Sequence, residues 1–235
     1  MNLELKNKLK EIIRNNKILS YFYQIWCDIN IKKMLKKKNK IFSRNGSKIF
    51  CEFLDICNSL NANVFLVYGT LLGYVRENGI LKHDCDFDVG IFEEDYNDLL
   101  QMQLIKNGFK LVRQFKGINY NAFEQTYEKD GVSIDIFVSY YDETKCWTHV
   151  FYREINDSLK QGLYRIRKLD YPKAPLEKIQ FLNANICIPS NYEIYLKEIY
   201  GDGWKIPDPN YDWRKGPKAN CTLENIYGEY IDCNG

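Results

Sequence analysis

Residues 64–91 hold the arrangement that most restricts how this chain can fold. Val64-Phe65-Leu66-Val67-Tyr68 is a short, almost wholly apolar run, the pattern of a strand buried on both faces. Gly69-Thr70 ends it, and residues 71–78 read as a short helix stopped by Gly79. Asp86-Phe87-Asp88-Val89-Gly90-Ile91 then alternates strictly, which is the period of a strand. Successive side chains of a strand point to opposite faces, so Asp86 and Asp88 share one face while Phe87, Val89 and Ile91 bury the other. Two carboxylates at adjacent same-face positions repel each other at neutral pH. Divalent cations between them would remove that conflict, and oxygen donors without histidine favour Mg2+ or Mn2+. A third carboxylate, Asp135, stands alone in the apolar run Val132-Ser133-Ile134-Asp135-Ile136-Phe137-Val138. If the two strands are neighbours, Asp135 completes a three-carboxylate site.

The junction before the helix adds a second element. A helix start offers unpaired N–H groups and partial positive charge, which suit a phosphate. Gly69 admits a ligand close to the backbone, the Thr70 hydroxyl supplies a donor, and Arg76 and Lys82 stand ready to neutralise phosphate oxygens. Each part has a plainer reading alone. Gly-Thr before a helix is commonly a turn with its cap, Asp-x-Asp a pair of solvated carboxylates on an edge strand, and Arg76 a surface residue with its stem packed. Their order along the chain carries the functional reading.

The rest of the sequence supplies the frame. At 235 residues, with 45% apolar and 27% charged residues, the chain has a globular composition, which excludes a disordered or fibrous protein. No stretch reaches the roughly 18 uninterrupted apolar residues of a membrane span. The start MNLELKNKLK lacks the pattern of an export signal, and the eight cysteines never form C-x-x-C, so the expectation is a cytoplasmic protein with reduced thiols. With only His83 and His149, a multi-histidine metal site is excluded; His149 reads as a core or surface residue.

Charge divides the chain unevenly. Residues 1–48 carry 13 Lys and Arg against three acidic residues, a net +10, which leaves −8 on the remainder. Residues 3–26 show helical periodicity and the lysine run at 32–40 follows, so a basic amphipathic extension is expected over 1–46, broken at Asn45-Gly46. A catalytic body is expected over 47–235. It begins with an apolar helix over 47–60 and continues with a helix over 95–107 and strands over 109–115, 120–127 and 132–138. The final third looks looser. Ser190-x-x-Glu193 reads as a capping box opening a helix that ends at Gly201. Gly203-Trp204-Lys205-Ile206-Pro207-Asp208-Pro209 reads as a loop, with Trp204 the aromatic residue best placed to cover a ligand. The fold class is α+β, a mixed sheet flanked by helices.

Buried strand, Gly-Thr, helix, Asp-x-Asp strand and a later strand with a lone Asp is the order found in nucleotidyltransferase-fold enzymes. Tyr68-Gly69-Thr70-Leu71-Leu72-Gly73-Tyr74-Val75-Arg76 and His83-Asp84-Cys85-Asp86-Phe87-Asp88-Val89-Gly90 resemble the signature of the LicD/fukutin phosphotransferases. Ile134-Asp135-Ile136-Phe137 resembles that family's third-carboxylate strand, and the segment from Ile188-Pro189 to Tyr200-Gly201-Asp202 its C-terminal element. The resemblance spans about residues 47–212. It departs where the family commonly has Trp-Asp-Asp-Asp-x-Asp, and at Tyr74, which is usually small. It implies metal-dependent transfer of a phosphorylated alcohol or sugar, such as phosphocholine or a polyol phosphate, from a CDP-linked donor to a hydroxyl of a cell-surface glycan, carried on lipid in some cases. It also implies that Asp86, Asp88 and Asp135 ligate Mg2+ or Mn2+, and that Gly69, Thr70 and Arg76 hold donor phosphates. Two other readings stand beside it. The basic arm suits nucleic acid, although it lacks any such motif and the body is acidic; a non-catalytic scaffold is opposed by retention of all three aspartates. An anionic membrane surface is the other partner the arm fits, at the inner face of the membrane.

Overall fold

The computed structural model describes residues 16–153, 159–209, 211 and 220–233. Its first element is one long helix, α1 (Lys17–Ser59). The expected break at Asn45-Gly46 is absent, because apolar contacts on both sides of Gly46 outweigh the modest helix penalty of one glycine. Phe42 lies before it, Ile49, Phe50, Phe53, Leu54 and Cys57 after it, and all are buried. Phe50 stacks on Phe87 at 4.2 Å and Phe42 meets the same ring at 4.6 Å. The expected helical pattern over residues 3–15 lies outside the described residues.

Two short units follow, β1 (Val64–Leu66) with α2 (Tyr68–Glu77) and β2 (Asp86–Phe92) with α3 (Asp98–Lys106). Helix α2 ends on Asn78 in a left-handed conformation, and α3 starts from Asn97, whose side chain accepts from the Leu100 N–H at 3.1 Å. The remaining strands are β3 (Lys110–Gly117), β4 (Phe123–Lys129), β5 (Val132–Tyr141), β6 (Lys145–Tyr152), β7 (Leu163–Pro172), β8 (Leu176–Phe181), β9 (Ala184–Pro189) and, after α4 (Tyr192–Tyr200), β10 (Asn220–Asp232).

The last third is thus mostly strand rather than the loose region expected. β7 and the preceding β6 carry Arg167, Thr148 and His149 inside and aromatic residues on both faces, so no clean alternation of apolar and polar residues marks them. The capping box also fails: Asn191 precedes α4 without a side-chain cap, and its amide instead donates to the Pro172 carbonyl at 3.0 Å.

All described strands join one mixed ten-stranded sheet, β4-β3-β10-β7-β6-β5-β2-β1-β9-β8, flanked by helices. Only β1–β9 and β2–β5 are parallel among its pairs. A further pairing of β4 with β5 closes β5-β4-β3-β10-β7-β6 into a hydrogen-bonded circuit. β1, β2, β8 and β9 extend from β5 as an open wing covered by α1 and α2. Most of the buried apolar side chains form one cluster on the wing and β5. A small second one, Phe115, Ala122, Phe151 and Ile166, lies in the circuit. No helix among the described residues is long and apolar enough to cross a membrane.

Candidate active site

The expected adjacency of the aspartate strands holds. In the parallel β2–β5 pair Asp88 lies opposite Asp135. Thr126 of β4 lies opposite Asp135, and Arg113 of β3 opposite Thr126. One row across four strands therefore reads Asp88, Asp135, Thr126, Arg113. The Arg113 guanidinium donates to Asp135 Oδ2 at 2.9 Å and to Thr126 Oγ1 at 2.6 Å, while Glu124 Oε1 lies 3.7 Å from it. The Thr126 hydroxyl in turn donates to Asp135 Oδ1.

The β1–α2 junction is locked to this row. Tyr68 turns the chain with φ +44°, and the Gly69 N–H donates to Asp88 Oδ2 at 3.0 Å. Asp88 thereby caps a helix whose own N-cap residue, Val67, offers no side-chain acceptor. Thr70 Oγ1 accepts from the Asp88 N–H at 2.7 Å, and Thr70 is buried. A Cβ at position 69 would sit 3.1 Å from Asp88 Oδ2, so the glycine is what lets carboxylate and helix start approach.

Asp86, Asp88 and Asp135 open onto one cavity of about 500 Å3, with Tyr68 and Gly69 on the wing side. Arg113, Phe115, Glu124, Phe137, Val150, Phe151, Arg167 and Leu169 form the circuit side, and Ile199, Tyr200 and Tyr211 close a third edge. Burial, then the charges of Asp86, Asp135 and Asp84, holds the Asp88 carboxyl well above the usual range. Burial and Asp135 raise Asp86; burial and Asp135 push Glu124 up to about 8; burial and Asp86 push Asp84 up to about 7. The carboxylates are crowded into a poorly solvated space that favours a cation.

The sequence-derived residues separate into two sets. Asp86, Asp88, Asp135 and Gly69 meet at the cavity, and Thr70 supports them from behind. Arg76, Lys82 and Trp204 do not line it. Arg76, in the last turn of α2, acts electrostatically on Asp84, and Lys82 is exposed. Trp204 is buried in the main core, its indole anchoring the loop instead of covering a ligand. Tyr74, where the family commonly has a small residue, packs edge-on against Phe181 and does not line the cavity.

Arg113, Glu124 and Arg167 were missed. The signal was Glu124-Gln125-Thr126, a polar run at the centre of a strand whose three residues are all buried.

Among the described residues, no three aspartate, glutamate, histidine or cysteine side chains already surround a cation position. The reason is visible in the bonding: Asp88 is held by Gly69 and Asp135 by Arg113 and Thr126. The donor set nevertheless fits a hard divalent ion. Its aspartates offer oxygen alone, and among the described residues neither histidine nor thiol lines the cavity and none donates a hydrogen bond to the Asp86 carboxylate.

Fold and site define a protein of nucleotidyltransferase type, with paired aspartates on one strand and a third on its neighbour. The profile of the LicD/FKTN/FKRP nucleotidyltransferase domain matches residues 61–191, and the chain belongs to that family. It is 25% identical over 197 residues to the ribitol-5-phosphate transferase FKTN of Homo sapiens, covering 83% of this chain and 40% of that protein. Protein T07A5.1 of Caenorhabditis elegans is 27% identical, covering 80% of this chain and 50% of its own length. Protein RP689 of Rickettsia prowazekii is 26% identical, covering 74% and 63%. The chain thus spans less than two thirds of each of these relatives.

Proposed function

We propose that this protein transfers a phosphorylated alcohol or sugar from a CDP-linked donor to a hydroxyl of a glycan. The supporting observation is the Asp88–Asp135–Thr126–Arg113 row, which together with Asp86 and the α2 start borders a cavity large enough for a nucleotide. The ribitol-5-phosphate activity named for FKTN makes a polyol phosphate the first candidate for the transferred group.

Asp86, Asp88 and Asp135 would hold Mg2+ or Mn2+, which when bound offsets the charge of the donor diphosphate. Gly69 and Thr70 keep Asp88 in place through its side chain and backbone N–H. Arg113 and Arg167, which line the cavity among the described residues, take the phosphate-holding part that sequence reading gave to Arg76 and Lys82. The acceptor hydroxyl attacks the phosphorus of the transferred group, Asp135 takes the hydroxyl proton, and cytidine monophosphate leaves. A glycan carried on lipid is the acceptor, and the cytoplasmic face of a membrane is the expected location.

The test is incubation with Mg2+, a glycan acceptor, and CDP-ribitol, CDP-glycerol or CDP-choline in turn. Acceptor-dependent release of the monophosphate is the expected result. Release of cytidine diphosphate would mean sugar transfer by another chemistry and would overturn the reading.

A further inference from the structure

The first half of α1 has a use that the reaction does not explain. Tyr21, Phe22 and Trp26 are 65%, 62% and 61% exposed, and Ile25, Ile29 and Met34 are exposed as well. At 100° per residue Tyr21, Phe22, Ile25, Trp26 and Ile29 fall within an arc of about 140°, one broad stripe, with Met34 about 80° beyond it. An exposed apolar stripe of this width is normally covered by something. The lysine run Lys32-Lys33-Met34-Leu35-Lys36-Lys37-Lys38-Asn39-Lys40 follows directly, and Asp28 is the sole acidic residue from Lys17 to Cys51.

We infer that residues 17–40 seat the protein on an anionic lipid bilayer, the aromatic segment entering one leaflet and the lysines resting among the headgroups. Charge and apolar surface together select this partner. A second copy packed alongside would bring one lysine run against another or leave it unanswered. A duplex would satisfy the lysines and leave Phe22 and Trp26 in water, and a single strand stacking its bases on those rings would still leave Ile25 and Ile29 uncovered. Only a bilayer with acidic headgroups answers both. The segment does not span: residues 18–31 cover about 21 Å of helix, against a hydrocarbon core of about 30 Å.

The lysine-bearing turns are also fastened beside the active site. Lys38 Nζ donates to Ser133 Oγ at 3.1 Å, and the Asn39 amide donates to the carbonyls of Asp84 at 2.7 Å and Lys82 at 3.0 Å. Ser133 lies opposite Asp86, each two residues before Asp135 and Asp88, about 7 Å along the strand. A bilayer contact at these lysines therefore sets the catalytic aspartates near the headgroups. The contact stands apart from the transfer reaction; only its purpose, delivery of a lipid-carried acceptor, rests on the proposed function.

The test uses the full chain with vesicles of phosphatidylcholine containing roughly 30% phosphatidylglycerol, and with phosphatidylcholine alone, at physiological salt. The wild-type chain is expected to sediment with the acidic vesicles. The Lys33→Gln/Lys36→Gln/Lys37→Gln variant should bind about 100-fold more weakly, since each lysine at an anionic surface is worth about fivefold. Phe22→Ser/Trp26→Ser should lose at least about tenfold. Both variants should keep the wild-type melting temperature and turnover on a soluble acceptor. Failure of the wild-type chain to sediment would overturn the inference, as would equal binding to both vesicles. So would a lipid-free dimer that Phe22→Ser/Trp26→Ser converts to monomer, or polyuridylate binding that displaces the vesicles and survives that double substitution. Vesicle binding without nucleotide release would overturn the reaction and leave this contact standing.

Discussion

The wing and the circuit are parts of one sheet with opposite interiors. On the wing, β1 and the inner face of β2 are apolar throughout, packed under Phe42, Phe50 and Phe53 of α1. In the circuit, the strands bury Glu124, Gln125, Thr126, Ser133, Asp135, Ser139, Thr148, His149 and Arg167. Thr70 is the one buried polar side chain outside β4–β7 among the described residues. The wing is held by apolar burial, which is non-directional and tolerant, whereas the circuit depends on networks in which each partner must be present. Asp135 belongs to β5, the strand the two parts share, so the site combines a firm platform with a network that can rearrange around a ligand.

The largest expected effect tests whether the wing's aspartates are chemical rather than structural. Asp88→Asn retains an oxygen for the Gly69 N–H and removes a charge that its neighbours oppose. Transfer should fall by at least about a thousandfold while the melting temperature holds or rises. Asp86→Asn should behave alike. Activity above a tenth of wild type in either variant would remove these residues from the catalytic set.

The comparison also explains what the sequence could tell. Pure apolar runs and a strict Asp-x-Asp alternation spell out β1 and β2, so the wing, its aspartates and the neighbouring Asp135 strand were legible. β6 and β7 bury Thr148, His149 and Arg167 among their apolar residues, so periodicity is silent about them. Arg113 is recognisable only once β3 is known to lie two strands from Asp135, because its role depends on register. Trp204 misled for the opposite reason: composition suggested a surface loop, but the indole is 7% exposed and fixes that loop to the core.

The second prediction concerns the network. Arg113→Ala leaves Glu124 and Asp135 facing each other without their shared cation. A fully buried pair broken this way costs about 3–5 kcal/mol; with the Arg113 side chain 40% exposed, about 2 kcal/mol is expected in urea unfolding. Adding Glu124→Gln should recover roughly half of that loss at pH 9, above the value of about 8 at which Glu124 ionises, a coupling that independent sites would not show. Equal loss in the single and double variants would mean that Arg113 contributes packing alone.

His149 gives the circuit a pH dependence of its own. Burial, then Lys168, pushes its imidazole down to about 4, and Tyr120 Oη lies 3.2 Å from its Nε2. The folded pKa is below the unfolded value of about 6.5, so the unfolded chain binds the extra proton first. Its contribution is complete above about pH 6.5 and is lost as pH falls toward 4, by about 2.5 kcal/mol at pH 4.5. His149→Gln should flatten the stability profile over that window relative to wild type. Parallel profiles would place the pH dependence elsewhere.

The smallest effect returns to the wing, at Gly46. If Asn45-Gly46 were a hinge between an extension and a body, alanine there would stiffen a needed bend and reduce stability. The helix instead runs through it, and a Cβ would meet Phe87 Cε2 at 3.4 Å, the edge of ordinary contact. Alanine is better than glycine by about 0.5–1 kcal/mol inside a helix, through the entropy of the unfolded chain. The tight approach to Phe87 takes back part of this, so Gly46→Ala should stabilise by about 0.5 kcal/mol in urea unfolding. Apolar packing that tolerates small volume changes predicts a gain of this sign, since Phe87 has only to yield by a few tenths of an ångström. A loss above about 1 kcal/mol would show that the wing is fitted as closely as the circuit, and the contrast between them would fail.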